Sequence, residues 1–392
     1  MTAQMRLPAA FMRGGTSNAL VFHARDLPGD RAEWPALFCA AMGSPDPNGR
    51  QLDGMGGGIS SLSKVCVIGP PTRPDADIDY TFFQIAVDRA EADISGNCGN
   101  MSSAMGPFAV DEGLVSAGDG EAVVRIHNTN TARMIHARFP VEDGRAAVNG
   151  DFSLPGVAGT GAPVRLDFLE PGGASTGRLL PTGRPVDRLD IPGLGALDVS
   201  IVDAANLCCF VRAADIGLTG VETPAMLEGD GGADAAIRNV RRVPRGGGAL
   251  AALDAVRRAA GDAAGLDPVP GSIPKVGTVA PPAAFEVLSG ERLRPADMDF
   301  AARMISVGRP HRAVPLTAAL CLGVAARMAG TLVHEASGAG GGGDIRIGHP
   351  SGIALVAAEV SGGGGDGPHA ERAVVYRTAR RLMDGFVYAP RP

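Results

Sequence analysis

Lysine is almost missing from this chain: of 36 basic residues, only Lys64 and Lys275 are not arginine. Arginine is never deprotonated in a protein and is excluded as a proton acceptor, whereas a desolvated lysine is not. Any amine base is thereby confined to two positions. Aromatic residues are also scarce, at 4%, and the net charge of −6 is spread without blocks. Neither the basic footprint nor the stacking surface of a nucleic-acid binder is present. Long hydrophobic runs are missing too. The longest, at 314–326, lies between Arg312 and Arg327 and falls short of the roughly 20 residues that span a bilayer. It reads as a buried helix. The first residues lack the charged-then-apolar layout of a secretory signal, so a cytoplasmic location is expected. The six cysteines, at 39, 66, 98, 208, 209 and 321, form no C-x-x-C pair, which argues against a disulfide framework or a zinc site. The histidines show neither H-x-x-x-H nor H-E-x-x-H spacing. A protein-bound catalytic metal is not expected, and the partner expected is a small molecule.

At 392 residues the chain exceeds one ordinary core, and two domains are expected. Apolar and polar residues alternate in the manner of strands at 19–23, 65–68, 79–87, 122–127 and 132–138. Helical patterns cover 31–42, the stretch from Cys98 to about Glu112, and 251–264, 297–307, 317–328 and 377–384. Many strands around few helices indicate an α+β protein rather than a doubly wound sheet. The two halves echo one another loosely: each carries strands, then a helix of small residues (SGNCGNMSSAMG at 95–106, VPLTAALCLG at 314–323), then more strands. A boundary fits in the Pro- and Gly-interrupted stretch 178–189. The domains expected are 1–184 and 185–369. The glycine runs at 338–344 and 362–367 lack the following Lys-Ser or Lys-Thr of a phosphate loop and read as flexible hairpin loops.

Three segments carry chemistry. Cys98 directly precedes a run of small helix-forming residues, so it stands at a helix N-terminus. Free backbone N–H groups and the helix dipole stabilise a thiolate there, and the same N–H groups hold a carboxylate or enolate oxygen. The other five cysteines sit in apolar sequence and read as buried packing. Lys64 follows a Gly/Ser loop and precedes the apolar strand Val65-Cys66-Val67-Ile68, a setting that desolvates an amine and makes it available as a base. Lys275, framed by Pro274 and Val276, lacks such a loop and reads as a strand-edge or structural lysine. The third segment, Arg13-Gly14-Gly15-Thr16-Ser17-Asn18, is either a hairpin turn or a nest of donors for a carboxylate.

MRGGTSNALVF, MGSPDPNGRQLDGMGGGISSLSKV and SGNCGNMSSAMGPFAVDEGLV, in that order, resemble the PrpF family of double-bond isomerases. That family includes 2-methylaconitate, 3-methylitaconate and 4-oxalomesaconate isomerases, within the diaminopimelate epimerase-like fold. The resemblance continues through RLLPTGRPVD, VDAANLCCFVRAADIGLTG, PKVGTVAPP and IRIGHPSG, over nearly the whole chain. It implies two pseudo-symmetric domains, each a curved sheet around a central helix, with the site where the two helix starts converge, and with the C-terminal segment 370–392 joined to the first domain. It implies that Lys64 and Cys98 are catalytic, and that Thr16, Ser17, Asn18, Ser63, Asn97, Gly99, Asn100, Leu316, Thr317 and Ala318 bind substrate. The reaction implied is a 1,3-allylic proton shift in an unsaturated di- or tricarboxylic acid, with no cofactor. A homodimer is the assembly expected by default. Two departures from the family pattern stand out. Asn18 occupies a position where many relatives carry Lys or Arg. Near Pro315, where epimerases of the fold place a second cysteine, this chain has none. Two other readings are a cofactor-independent racemase or epimerase, and a non-catalytic accessory protein to an aconitase-like iron–sulfur enzyme.

Overall fold

A computed structural model describes residues 4–94, 96–229, 248–267, 269, 273–306, 308–338, 343–362 and 367–390. The chain divides into two compact units, Met1–Asp167 with Tyr376–Pro392, and Phe168–Val375. The stretch 168–186 hydrogen-bonds within the second unit, Gly173 N to Asp203 O and Asp203 N to Leu179 O, at 2.8 and 2.9 Å.

In the first unit the main strands are β1 (Gln4–Gly14), β2 (Ser17–His23), β3 (Lys64–Gly69), β4 (Ile78–Ile85), β5 (Gly120–Asn128) and β6 (Arg133–Glu142). In the second they are β7 (Asp187–Ile191), β8 (Gly195–Asp203), β9 (Leu207–Arg212), β10 (Lys275–Ala280), β11 (Phe300–Ser306), β12 (Ile345–His349), β13 (Gly352–Ser361) and β14 (His369–Arg377). The last strand, β15 (Ala379–Pro390), returns to the first unit and pairs with β1 along its length.

Each unit has its own hydrogen-bonding order. In the first, β15–β1 and β1–β2 are antiparallel, β2–β3 parallel, β3–β4 antiparallel, β4–β5 parallel and β5–β6 antiparallel. In the second, the series β7 to β13 runs antiparallel, antiparallel, parallel, antiparallel, parallel, antiparallel. The two series are the same. The parallel steps require crossovers, and one crossover in each unit carries a central helix: α2 (Gly99–Asp111) between β4 and β5, and α4 (Leu316–Arg327) between β11 and β12.

Alternation along the strands decides which face each helix covers. Val65 and Val67 of β3 and Phe83 and Ile85 of β4 join Leu20, Phe22 and the helix α1 (Trp34–Met42) in one apolar cluster. The intervening Lys64, Cys66, Phe82 and Gln84 turn to the opposite face, toward α2. In the second unit Val276, Ala280, Val199 and Ile201 pack with α3 (Gly248–Ala263). The central helices are built of small residues because sheet strands press on them closely. A Cβ added at Gly106 would meet Ala137 Cβ and Phe139 Cε1 at 2.8 Å, and one at Gly323 would meet Val356 Cγ2 at 3.0 Å.

An Asp–Arg clamp closes the β4–β5 step and recurs at β11–β12. Arg125 N donates to Asp77 Oδ2 at 2.7 Å, Asp77 N to Arg125 O at 2.8 Å, and Arg125 Nη2 pairs with Asp77 Oδ1 at 2.6 Å. Arg346 and Asp299 repeat these three contacts at 2.7, 2.8 and 2.7 Å.

Two expected helices are strands. The stretch 297–307 holds β11, buried on both faces between β10 and β12, so its near-continuous apolar run mimics a helix pattern without being one. The stretch 377–384 lies across the end of β14 and the start of β15. There the open edge of β1 offers ladder partners that override local helical spacing. The glycine runs at 338–344 and 362–367 lie largely outside the described residues.

Candidate active site

Cys98 is the N-cap of α2. Its backbone is extended, its carbonyl accepts the first helical bond from Ser102 N at 2.9 Å, and its side chain caps nothing. The thiol is half-buried. The first-turn N–H groups of Gly99, Asn100 and Met101 have no acceptor among the described residues, as helix geometry dictates. A half-exposed thiol therefore stands beside a set of free donors.

The β1–β2 hairpin abuts this helix start. Gly14 pairs with Ser17, leaving Gly15 and Thr16 as a two-residue turn in which Gly15 adopts φ +51°. A Cβ at Gly14 would lie 2.6 Å from Asn100 O and 3.0 Å from Met101 Cα, so only glycine allows the approach. Asn100 Nδ2 donates to Thr16 Oγ1 at 3.1 Å, joining turn to helix. Gly15 N donates to Thr378 O at 2.9 Å, which ties the turn to the C-terminal segment as well.

Lys64 opens β3 with its side chain 7% exposed. Its register partner is Gln84, whose Oε1 accepts a short hydrogen bond from the lysine Nζ. The Gln84 Nε2 donates to Ser60 O and Ser63 O, both at 3.0 Å, and this fixes the amide that fixes the amine. Nζ also lies 5.2 Å from the centre of the Phe82 ring. Between the lysine and the helix start lies Cys66. Burial pushes its thiol up, Cys98 pushes the same way, and Tyr80 and Lys64 work against them. Cys66 Sγ contacts Tyr80 OH at 3.8 Å, and Tyr80 hydrogen-bonds Ser102, whose Oγ also donates to Cys98 O at 3.1 Å.

Of the substrate contacts expected in the first unit, Thr16, Ser17, Asn18, Asn97, Gly99 and Asn100 all lie on the hairpin turn or on the start of α2. Ser63 lies elsewhere, in the loop before β3. It is fully buried, and its hydroxyl is engaged by Gln51 Oε1 at 2.5 Å and Ile59 O at 2.8 Å, so it pins the loop before β3. Leu316, Thr317 and Ala318 form the first turn of α4 in the second unit. Pro315 is the N-cap there, and its carbonyl accepts from Ala319 N at 2.8 Å.

Sequence reading passed over Gln84 and Arg377. The first had a signal, since a β3–β4 hairpin that returns on itself places a residue of β4 opposite Lys64. The second had none: Arg377 Nε donates to Asn100 Oδ1 at 3.0 Å across 277 positions of chain. Among the described residues, no group of three or more His, Cys, Asp or Glu side chains is arranged to hold a metal ion. No helix there is long and apolar enough to cross a membrane.

Residues 4–390 match the model of a family described as PrpF protein. The chain is 40% identical to 3-methylitaconate isomerase of Eubacterium barkeri over 390 residues, covering 99% of this chain and 98% of the relative. It is 38% identical to 2-methyl-aconitate isomerase of Cupriavidus necator, with coverages of 99% and 98%. The crystal structure of a methylitaconate-delta-isomerase superposes with a TM-score of 0.87 at 39% identity, covering 99% of this chain and 96% of that one. The architecture, a sheet around a central helix made twice, is the α+β diaminopimelate epimerase-like fold.

Proposed function

The chain belongs to the PrpF family, and from that premise we propose that it isomerises an unsaturated di- or tricarboxylic acid of the methylitaconate, methylaconitate, oxalomesaconate or aconitate type, with Lys64 and Cys98 as its acid–base pair. The protein is an isomerase acting on C=C bonds. The observation that carries the residue assignment is the half-exposed Cys98 at the start of α2 beside free helix N–H groups, with the buried Lys64 on the face of β3 that Cys66 shares.

The chemistry follows from those groups. A proton leaves the sp³ carbon of an allylic unit conjugated to a carboxylate or keto group, and the electron pair left behind spreads into a dienolate. Reprotonation at the far carbon leaves the double bond shifted by one position. Electrons move only within the substrate, so the step balances without an oxidant or reductant. The developing oxyanion needs donors fixed before the reaction, which the N–H groups of Gly99, Asn100 and Met101 supply. Lys64 and Cys98 take and return the proton. The clamp on Lys64, from Gln84 and the Phe82 ring, holds the amine in one direction through the cycle. The racemase reading predicts a second cysteine near Pro315, and the N-cap of α4 is that proline, which carries no proton. A soluble enzyme of small-molecule metabolism is consistent with a cytoplasmic location, which we adopt as part of the proposal.

The test is exchange in deuterated buffer. NMR of the protein with 2-methylaconitate, 3-methylitaconate, oxalomesaconate and cis-aconitate is expected to reveal allylic deuterium and a migrated double bond for at least one acid. Silence on all four, or full activity of the double variant Lys64→Met with Cys98→Ser, overturns the assignment.

A further inference from the structure

Arg377 ends β14, on the short stretch of that strand that belongs to the first unit. Its Nε donates to Asn100 Oδ1 at 3.0 Å and its Nη1 to Tyr376 O at 2.7 Å. Among the described residues nothing accepts from Nη2, and no carboxylate pairs with the group. Burial draws its pKa down to about 10, and the nearby Cys98 opposes the drop. The guanidinium therefore remains a cation at neutral pH, at the helix start that bears Cys98.

A half-buried cation without a counter-ion is unusual, because desolvating a charge is costly unless it is paired. Three other inward-facing arginines of this molecule find partners for their charge or their donors. Arg138 and Arg165 both reach Asp167, at 3.2 and 2.7 Å. Arg303, 2% exposed, donates to the carbonyls of Glu222, Ala302 and Gly348 and lies over the Phe285 ring. Arg13 is the exception: its Nη1 donates to Gly15 O, Thr378 O and Thr378 Oγ1, all at 3.0 Å, and among the described residues no carboxylate pairs with it. Arg377 alone of these keeps a donor edge beside the thiol. The turn also makes room for it, since a Cβ at Gly15 would lie 3.1 Å from the Arg377 Cδ.

We propose that Arg377 is a substrate-binding residue: its open Nη edge pairs with one carboxylate of the unsaturated acid and holds the allylic carbon at Cys98. The proposal rests on the isomerase reading above and adds to it the group that recognises a carboxylate. A planar guanidinium presents two parallel N–H groups matched to the two oxygens of a carboxylate. Asn100 fixes the plane of that fork through Nε, and Asn100 is itself fixed by Thr16. Carboxylate, thiol and helix N–H groups are then held on one frame.

Steady-state kinetics on whichever of the four acids turns over will test this, using Arg377→Met and Arg377→Lys. KM is expected to rise about 100-fold in the methionine variant and about 10-fold in the lysine variant, with kcat nearly unchanged in both, because a binding contact is lost and the proton carriers remain. Calorimetric titration with tricarballylate, a saturated tricarboxylate that does not react, supplies a second readout, in which the same order of affinities is expected. It still decides through the lysine variant if the methionine variant fails to fold. Unchanged KM and unchanged tricarballylate affinity in an active protein overturn the role of Arg377 and leave the isomerase reading standing. So does a loss confined to kcat. A wild-type protein that converts none of the acids removes both.

Discussion

The two units repeat one frame, and they differ where a proton can be carried. Lys64 and Lys275 each occupy the first residue of the strand that follows the parallel step, β3 and β10. Each reaches its antiparallel neighbour strand, Lys64 at Gln84 and Lys275 at Ser306 Oγ, the latter at 3.5 Å. The β1–β2 turn has Gly15 at φ +51°, and the β8–β9 turn has Ala205 at φ +59°. Eight residues past each helix N-cap stands a glycine, Gly106 or Gly323, facing a sheet strand. At the N-caps themselves the repeat fails: Cys98 in one unit, Pro315 in the other. Four residues on, Ser102, which holds the Cys98 carbonyl, is answered by Ala319, and Cys66 by Gly277. Positions that pack are kept in both units. The lysine is kept in both as well, whereas the cysteine at the N-cap, the serine four residues on and the second thiol are present in one.

The strongest way to break this comparison is to treat the two lysines alike. Lys64→Met and Cys98→Ser are each expected to lower the isomerisation rate by roughly 10³-fold, within the range for loss of a positioned acid or base. Lys275→Met is expected to cost at least tenfold less than Lys64→Met, because Lys275 has no thiol at its helix start to work with. Initial rates by NMR on the same acid decide it. Equal losses at Lys64 and Lys275 would mean that the chemistry is duplicated along with the frame.

Which parts of this were legible in the sequence follows the same division. The strands β2 to β6, the helix after Cys98 and the helix at 317–328 are visible because their periodicity is local. So are the glycine turn and the helix start, since each has a composition of its own, but not their contact through Asn100 and Thr16. The strand nature of 297–307 is not visible, because a strand buried on both faces loses its alternation. Ser63 looked like part of a polar loop near the lysine, and only the return of Gln51 reveals that its hydroxyl is engaged. Arg377 reaches Asn100 only because β15 closes back on β1, a long-range pairing that no window of sequence contains.

A smaller and purely structural test concerns the two helix glycines. Gly106→Ala would push a methyl against both Ala137 and Phe139, whereas Gly323→Ala would crowd mainly Val356 at a slightly longer distance. Overpacking of this kind costs about 1–3 kcal/mol, partly offset by the better helix propensity of alanine. Urea midpoints are expected to fall for both, and further for Gly106→Ala. A larger drop for Gly323→Ala would show that the second helix is the more tightly wrapped.

The smallest expected effect is the one in which the units should not differ at all. In each Asp–Arg clamp, burial works against the carboxylate, but the arginine hydrogen bonds outweigh it, so Asp77 and Asp299 both sit below their ordinary pKa. A depressed folded-state pKa means that the unfolded chain binds the proton more readily. The stabilisation is therefore complete above the usual carboxylate range and is lost as pH falls through the folded value. Asp77→Asn and Asp299→Asn are each expected to cost about 1 kcal/mol at pH 7, since both pairs are partly open to solvent. The penalty should shrink toward zero in strong acid, where the wild-type carboxyls are protonated too. Denaturant midpoints at pH 7 and near pH 3 measure this. If one clamp is worth several times the other, the likeness of the two frames does not extend to their energetics.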